Sequence, residues 1–182
     1  MTILVNPQQY LQQAELIHSE LAVNQAILTM ANQLNQDYAD EPPIVLCVMG
    51  GAVFFTGQLL SKLQFLLELD YVQATRYHDT TEGKTLKWMV MPKATVKNRN
   101  VLILDDILDE GVTLKAIIDE CKLIGAKEVR SAVLVEKQLN KCKAVLADYV
   151  GLTVPNRYVF GCGMDVYGWW RNLPAIYALK NA

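Results

Sequence analysis

Asp105, Asp106, Asp109 and Gly111 fall within seven positions of this chain, and Thr113 stands two places further on. The apolar run Val101-Leu102-Ile103-Leu104 leads directly into them. Such a run reads as a strand buried on both faces, the kind found in parallel sheets covered by helices. Ligands of open α/β sheets bind at the carboxyl ends of strands, where these acids are expected. Thr113 can start a helix, so backbone N–H groups from Gly111 to Thr113 would form a nest for an anion. A phosphate held there would lie near Asp105 and Asp106, which can receive sugar hydroxyls or hold a hydrated Mg²⁺. Asp109 would project between them and can take or relay a proton. A sugar carrying a phosphate fits this arrangement better than a bare metal ion. The plain alternative is a strand that ends in solvated acids.

Elements that can position such a site follow from the rest of the chain. Its 182 residues suit one domain with a substantial core. The hydrophobic fraction of 52% and charged fraction of 20% describe a folded protein rather than a disordered one. A net charge of -2, with no basic tail or block, gives no footprint for nonspecific nucleic-acid binding. Cys47, Cys121, Cys142 and Cys162 form no CxxC pair and no zinc-like spacing. Cys47 sits in an apolar strand-like run, which assigns it to core packing. Neither a signal-peptide pattern nor a membrane-length apolar stretch is evident, so the expected location is cytoplasmic, with no membrane partner.

Asn6-Pro7-Gln8-Gln9 carries helix-start signals, and Tyr10, Ala14, Ile17, Leu21, Leu28 and Ala31 recur at helical spacing. One amphipathic helix is therefore expected over this region, with His18 at its boundary. Residues 44–49 read as a strand running into Gly50-Gly51, where the backbone can approach a ligand or simply turn. Residues 52–63 read as a helix. Residues 67–77 and 85–91 read as two strands around a polar loop, a β-hairpin. A helix is expected from Thr113 to about Ile124 with Gly125 as its C-cap, and then a strand over 128–137. This strand–loop–helix–strand order is a βαβ unit. Lys137 lies just past the second strand's end, as either a ligand or a solvated cation. A further short strand is expected before Pro155. Tyr158 can stack on a flat base or pack in the core.

The segment from Val101 to Thr113 resembles the signature of the type I phosphoribosyltransferases: an apolar strand, two acids, two apolar residues, an Asp and a Gly-containing phosphate loop. Within that family the chain is similar to the bacterial hypoxanthine-guanine phosphoribosyltransferases, with further matches near residues 48–51, 135–137 and 158–171. The resemblance implies an α/β fold of three layers, its mainly parallel central sheet flanked by helices. It also implies a small hood built from about 1–35 and 155–182, all within a single phosphoribosyltransferase domain spanning 1–182. The implied reaction is Mg²⁺-dependent transfer of the 5-phosphoribosyl group from phosphoribosyl pyrophosphate to N9 of a 6-oxopurine, by a homodimer or homotetramer.

Site roles follow residue by residue from the same resemblance. Val48-Met49-Gly50-Gly51 matches the loop that binds pyrophosphate, with Met49 where many members carry a basic residue. Arg76-Tyr77 stands where a mobile covering loop usually begins with Ser-Tyr. Asp105, Asp106, Ile107, Leu108, Glu110, Gly111, Val112 and Thr113 line the phosphoribosyl site, and Asp109 is the general base. Glu136-Lys137 matches an acid–lysine pair whose Lys recognises the purine's exocyclic oxygen. Tyr158 stacks on the purine, and the Val159 backbone contacts it. Asp165 reaches Mg²⁺-pyrophosphate, with Asp105 and Asp106 as further metal ligands, and Arg171 lies near pyrophosphate. Val166 stands where members often carry Tyr. Two rival readings are a phosphoacceptor receiver domain and a noncatalytic nucleotide-sensing regulator on the same fold.

Overall fold

Alternate residues of the central strands face opposite sides of one sheet. The computed structural model describes residues 6–76 and 86–180, the side chains of Arg76 and Leu86 excepted. Strand β2 (Ile44–Val48) pairs in parallel with both β3 (Glu68–Arg76) and β5 (Asn100–Leu108). β5 continues in parallel to β6 (Glu128–Lys137), and β6 to β7 (Tyr149–Val154). The order is β4-β3-β2-β5-β6-β7, where β4 (Leu86–Val90) runs antiparallel to β3.

Val45, Leu102, Leu104, Ala132 and Leu134 pack on one face with buried residues of helices α2 (Glu20–Asp37) and α3 (Val53–Leu60). Ile44, Leu46, Val101, Ile103 and Val133 pack on the other with Leu114, Ile117, Ile118 and Cys121 of α4 (Val112–Ile124). Each fully buried aliphatic side chain contributes about 1.5–3 kcal/mol through loss of apolar surface to water. The three layers and mainly parallel sheet agree with the architecture expected from the sequence.

The N-terminal region departs from its expected single helix. Asn6 does cap a helix, accepting from Gln8 N at 3.1 Å, but this helix, α1, ends at Pro7–Gln12. Strand β1 (Ala14–His18) follows, and α2 begins afresh where the Ser19 hydroxyl accepts from Ala22 N at 3.3 Å. The buried stripe of α2 is Val23, Ile27, Met30, Ala31 and Leu34, while Leu21 and Leu28 are exposed. Tertiary pairing overrides local periodicity here. β1 lies antiparallel to β9 (Ile176–Leu179), whose other side takes β8 (Val159–Phe160).

Arg157 fastens this small sheet by donating to Glu15 Oε2 at 2.7 Å and to Leu179 O at 2.9 Å. His18 Nε2 lies 2.7 Å from Thr153 O and so joins the small sheet to β7. The antiparallel β3–β4 pair agrees with the expected hairpin. Tyr77 and His78, between them, lie outside the described residues.

Two boundaries at the organising segment also move. β5 runs through both acids to Leu108, because its ladder with β6 continues to Leu108 opposite Glu136. α4 begins at Val112, with Gly111 as N-cap at φ 79°, rather than at Thr113. The left-handed backbone there is one that Gly adopts at little cost. Gly125 caps the other end at φ 100°, as expected.

Candidate active site

The carboxyl ends of β2, β5 and β6 open onto two adjoining cavities. One, of about 310 Å³, is lined by the Met49-Gly50-Gly51 turn, the segment from Asp105 to Asp109, Gly111, Thr113 and Arg171. The other, of about 210 Å³, has Lys137, Tyr158, Val159, Met164 and Asp165 on its walls. Asp106, Ile107 and Asp109 belong to both, so the carboxyl end of β5 and the residue just beyond it form the partition.

Backbone geometry orders the first cavity. Asp105 Oδ1 accepts from Asp106 N at 3.0 Å, and Asp106 Oδ1 accepts from Ile107 N at 2.9 Å. Burial pushes the Asp106 carboxyl above the usual range, while its hydrogen bonds and the Arg171 guanidinium pull the other way. Gly51 makes room for that carboxylate: a Cβ on Gly51 would stand 1.9 Å from Asp106 Oδ2. On the other side, a Cβ on Gly163 would stand 1.9 Å from Gly51 O. Two glycines therefore allow the turn after β2 to sit between β5 and the segment after β8. The peptide bond joining Met49 to Gly50 within this turn is cis.

Opposite charges order the second cavity. Lys137 Nζ donates to Asp109 Oδ2 at 2.9 Å across the partition. Asp165 accepts from Arg171 Nη2 at 2.6 Å and from Gly168 N at 2.7 Å, and Arg171 Nη1 donates to Gly163 O at 2.6 Å. Tyr158 offers an aromatic face and stacks on Tyr167 with ring centroids 5.9 Å apart. Burial raises the Tyr158 hydroxyl pKa, assisted by the negative charge of Asp165.

Most residues singled out in the sequence thus meet at one place. Glu110 and Val112 do not line either cavity. The Glu110 carboxylate accepts from Lys141 at 2.5 Å instead. For Arg76 only the backbone is described, paired with Leu86, and Tyr77 lies outside the described residues.

Sequence reading passed over Leu114 in the first cavity and Met164 in the second, each an apolar residue with no chemical mark of its own. Gly163 was also missed, although the Gly161-Cys162-Gly163 spacing hinted at close backbone approach. Among the described residues, no three His, Cys, Asp or Glu side chains gather into a metal cluster. Asp105, Asp106 and Asp165 therefore form no self-sufficient ligand set.

A glycine-capped helix start beside paired acids, joined to an aromatic and cationic cavity, suits a phosphorylated sugar next to a flat acceptor. Comparison with known proteins agrees. The phosphoribosyl transferase domain model matches residues 13–166. A hypoxanthine-guanine-xanthine phosphoribosyltransferase from Tritrichomonas foetus is 33% identical over 168 residues, covering 91% of each chain. A hypoxanthine-guanine phosphoribosyltransferase from Streptococcus mutans is 32% identical, covering 92% of this chain and 93% of its own. The crystal structure of a hypoxanthine phosphoribosyltransferase from Staphylococcus aureus has a TM-score of 0.87 at 28% identity, covering 97% of this chain and 96% of that one. The chain belongs to the phosphoribosyltransferase family.

Proposed function

We propose that the protein transfers the 5-phosphoribosyl group from phosphoribosyl pyrophosphate to N9 of hypoxanthine or guanine, releasing pyrophosphate and forming IMP or GMP in purine salvage. The observation that carries this reading is the pair Lys137–Asp109, 2.9 Å apart and set on the partition between the two cavities. A 6-oxopurine presents O6 and N7 side by side on one edge. Lys137 donates to O6, where a 6-amino group would present only repelling hydrogens. Asp109 accepts from N7–H and withdraws that proton as N9 attacks the ribose carbon. Tyr158 covers a face of the base, and the Val159 backbone meets its edge.

Donor residues occupy the first cavity. The 5-phosphate is held by backbone N–H groups from Asp109 to Thr113 at the start of α4. Asp105 and Asp106 take the ribose hydroxyls. Pyrophosphate leaves beside Gly50-Gly51 and Arg171, whose donors meet its growing negative charge.

The carboxylates of Asp105, Asp106 and Asp165 are hard oxygen donors suited to Mg²⁺, with substrate oxygens and water completing its shell. Bound there, Mg²⁺ supplies charge neutralisation at the departing pyrophosphate. The protein's own contribution is orientation and exclusion of water. Cytoplasmic location and assembly as a homodimer or homotetramer complete the proposal. Among the described residues no helix is long and apolar enough to cross a membrane.

Steady-state assays with phosphoribosyl pyrophosphate, Mg²⁺ and each of hypoxanthine, guanine and xanthine test this directly. Turnover of at least hypoxanthine or guanine is expected. Tight donor binding with no turnover of any base would replace the enzyme with a ligand-sensing regulator.

A further inference from the structure

Lys143 lies outside both cavities, yet its ammonium is among the most enclosed charges of the described chain. Its side chain is only 8% exposed. An ammonium carries three donors and no acceptor, and burying one without partners is costly. Lys143 Nζ donates to Leu108 O at 3.1 Å and to Lys137 O, and lies 3.4 Å from Glu136 Oε1. All three acceptors belong to the carboxyl ends of β5 and β6. Leu108 immediately precedes Asp109, and the second carbonyl is that of Lys137 itself.

The position of this clamp is informative. The β5–β6 ladder makes its last pairing at Leu108 opposite Glu136. Asp109 therefore stands one residue beyond the paired region, and Lys137 sits at the end of its strand. Lys143 links the two backbones where the ladder stops. Neighbouring residues reinforce the link: Ala144 N donates to Glu110 O at 2.9 Å, and Lys141 pairs with Glu110. Val145 presses on the phosphate loop, since a Cβ on Gly111 would lie 3.2 Å from its backbone N and O.

We infer that Lys143 is a positioning residue that fixes the distance between Asp109 and Lys137 and thereby governs recognition of the base. This rests on Lys137 being the cation that meets O6, as proposed above. Held at one separation, the Asp109 and Lys137 side chains match adjacent polar atoms on a purine edge. Released, each strand end drifts independently, and the match to the base loosens before the phosphate nest does.

Lys143→Met and Lys143→Gln test the inference. Met keeps the length of the side chain without its donors; Gln keeps neutral donors and is the milder change. The Michaelis constants for hypoxanthine and guanine should rise ~10–10²-fold, the scale of a displacement of about 1 Å at a reacting group. Affinity for phosphoribosyl pyrophosphate, titrated calorimetrically, should stay close to that of the unaltered protein. If Lys143→Met does not fold, the same split is read from Lys143→Gln. Equal losses in base and donor binding would mean general support only and overturn the inference, as would no change in either. Should the unaltered protein turn over no base, the proposed function fails by itself. Crystal structures then decide separately: a Lys137–Asp109 pair still at hydrogen-bond distance in the variant overturns the role of Lys143, and a separated pair sustains it.

Discussion

Lys137 and Asp109 are hydrogen-bonded to each other at 2.9 Å. The proposed base and the proposed recognition group are therefore mutual ligands. The Lys137 side chain is 14% exposed and that of Asp109 38% exposed, so solvent screens the pair only in part. Lys137 has further donors for O6 while this bond stands. The pair can thus receive the base as a unit.

Replacing Asp109 with Asn keeps the shape and removes the basicity. The single-turnover rate should fall by ~10²–10⁴-fold, the usual contribution of a positioned general base. Donor affinity should change far less, because the proposed phosphate site is made of backbone N–H groups. Rapid-quench product formation measures the first quantity and direct titration the second. A near-normal chemical step would remove Asp109 from the role of base.

Lys137→Ala should weaken hypoxanthine and guanine binding by about 2–3 kcal/mol, on the scale of losing a charge-assisted hydrogen bond at a part-buried site. It should also narrow the difference between 6-oxo and 6-amino purines, because the donor proposed to select O6 is gone. Competition binding with adenine as the comparison ligand measures this. Discrimination that survives the change would assign selectivity to another group.

Gly51→Ala tests the close approach of two strand ends. The new Cβ would meet Asp106 Oδ2 at 1.9 Å, so the carboxylate must leave its place. Donor affinity should drop ~10²-fold, as expected for misplacing a binding group by about 1 Å. Gly57→Ala is the contrast, because its Cβ would meet nothing within 4 Å inside α3. That substitution should raise stability by ~0.5–1 kcal/mol through better helix propensity and leave the donor site intact. Denaturant unfolding and donor titration on both variants separate the two effects.

Thiol chemistry should report burial. Cys142 is exposed, whereas Cys47, Cys121 and Cys162 are buried. One thiol should react quickly with an aromatic disulfide reagent in the folded protein and three more on unfolding. Burial pushes the Cys121 thiol up to about 11 and that of Cys162 up to about 12. These folded-state values lie above the unfolded thiol value of ~8.5, so the unfolded chain releases protons first as pH rises. The associated stability is complete below about pH 8.5 and is lost as pH climbs toward the folded values. The melting temperature should fall between pH 8 and pH 10, and less steeply in Cys162→Ala. Equal slopes in the two proteins would contradict this assignment.

Much of the sheet was legible because its central strands carry their own evidence. Residues 44–48, 101–104 and 132–135 are continuous apolar runs, and a run buried on both faces needs helices on both sides. The βαβ unit was equally visible, since Gly125 marks the end of α4. β1 was not legible. Its Ala14–His18 segment keeps a helical rhythm, and only the distant edge of β9 makes it a strand.

Within the site, acids and glycines advertised themselves by type and spacing. Asp105, Asp106 and Asp109 were found that way. The direction of Glu110 was hidden, because it depends on Lys141, which reaches back from the segment after β6. Lys143 was hidden for the same reason: nothing near it in sequence distinguishes a clamp from a solvated lysine.

The small sheet places β9 between β1 and β8. During ribosomal synthesis, every strand of the large sheet and α4 emerge before residues 176–179 do. A nascent chain can therefore bring Asp105, Asp106 and Asp109 to the end of β5 while β1 still has no partner. The cavity bearing Tyr158 and Asp165 must wait, because Val159 pairs with Ala178 and Gly161 packs against Ala175. Closing β1 onto β9 spans most of the chain, and contacts of such separation form slowly relative to local ones. The order of translation thus completes the large sheet before the small one.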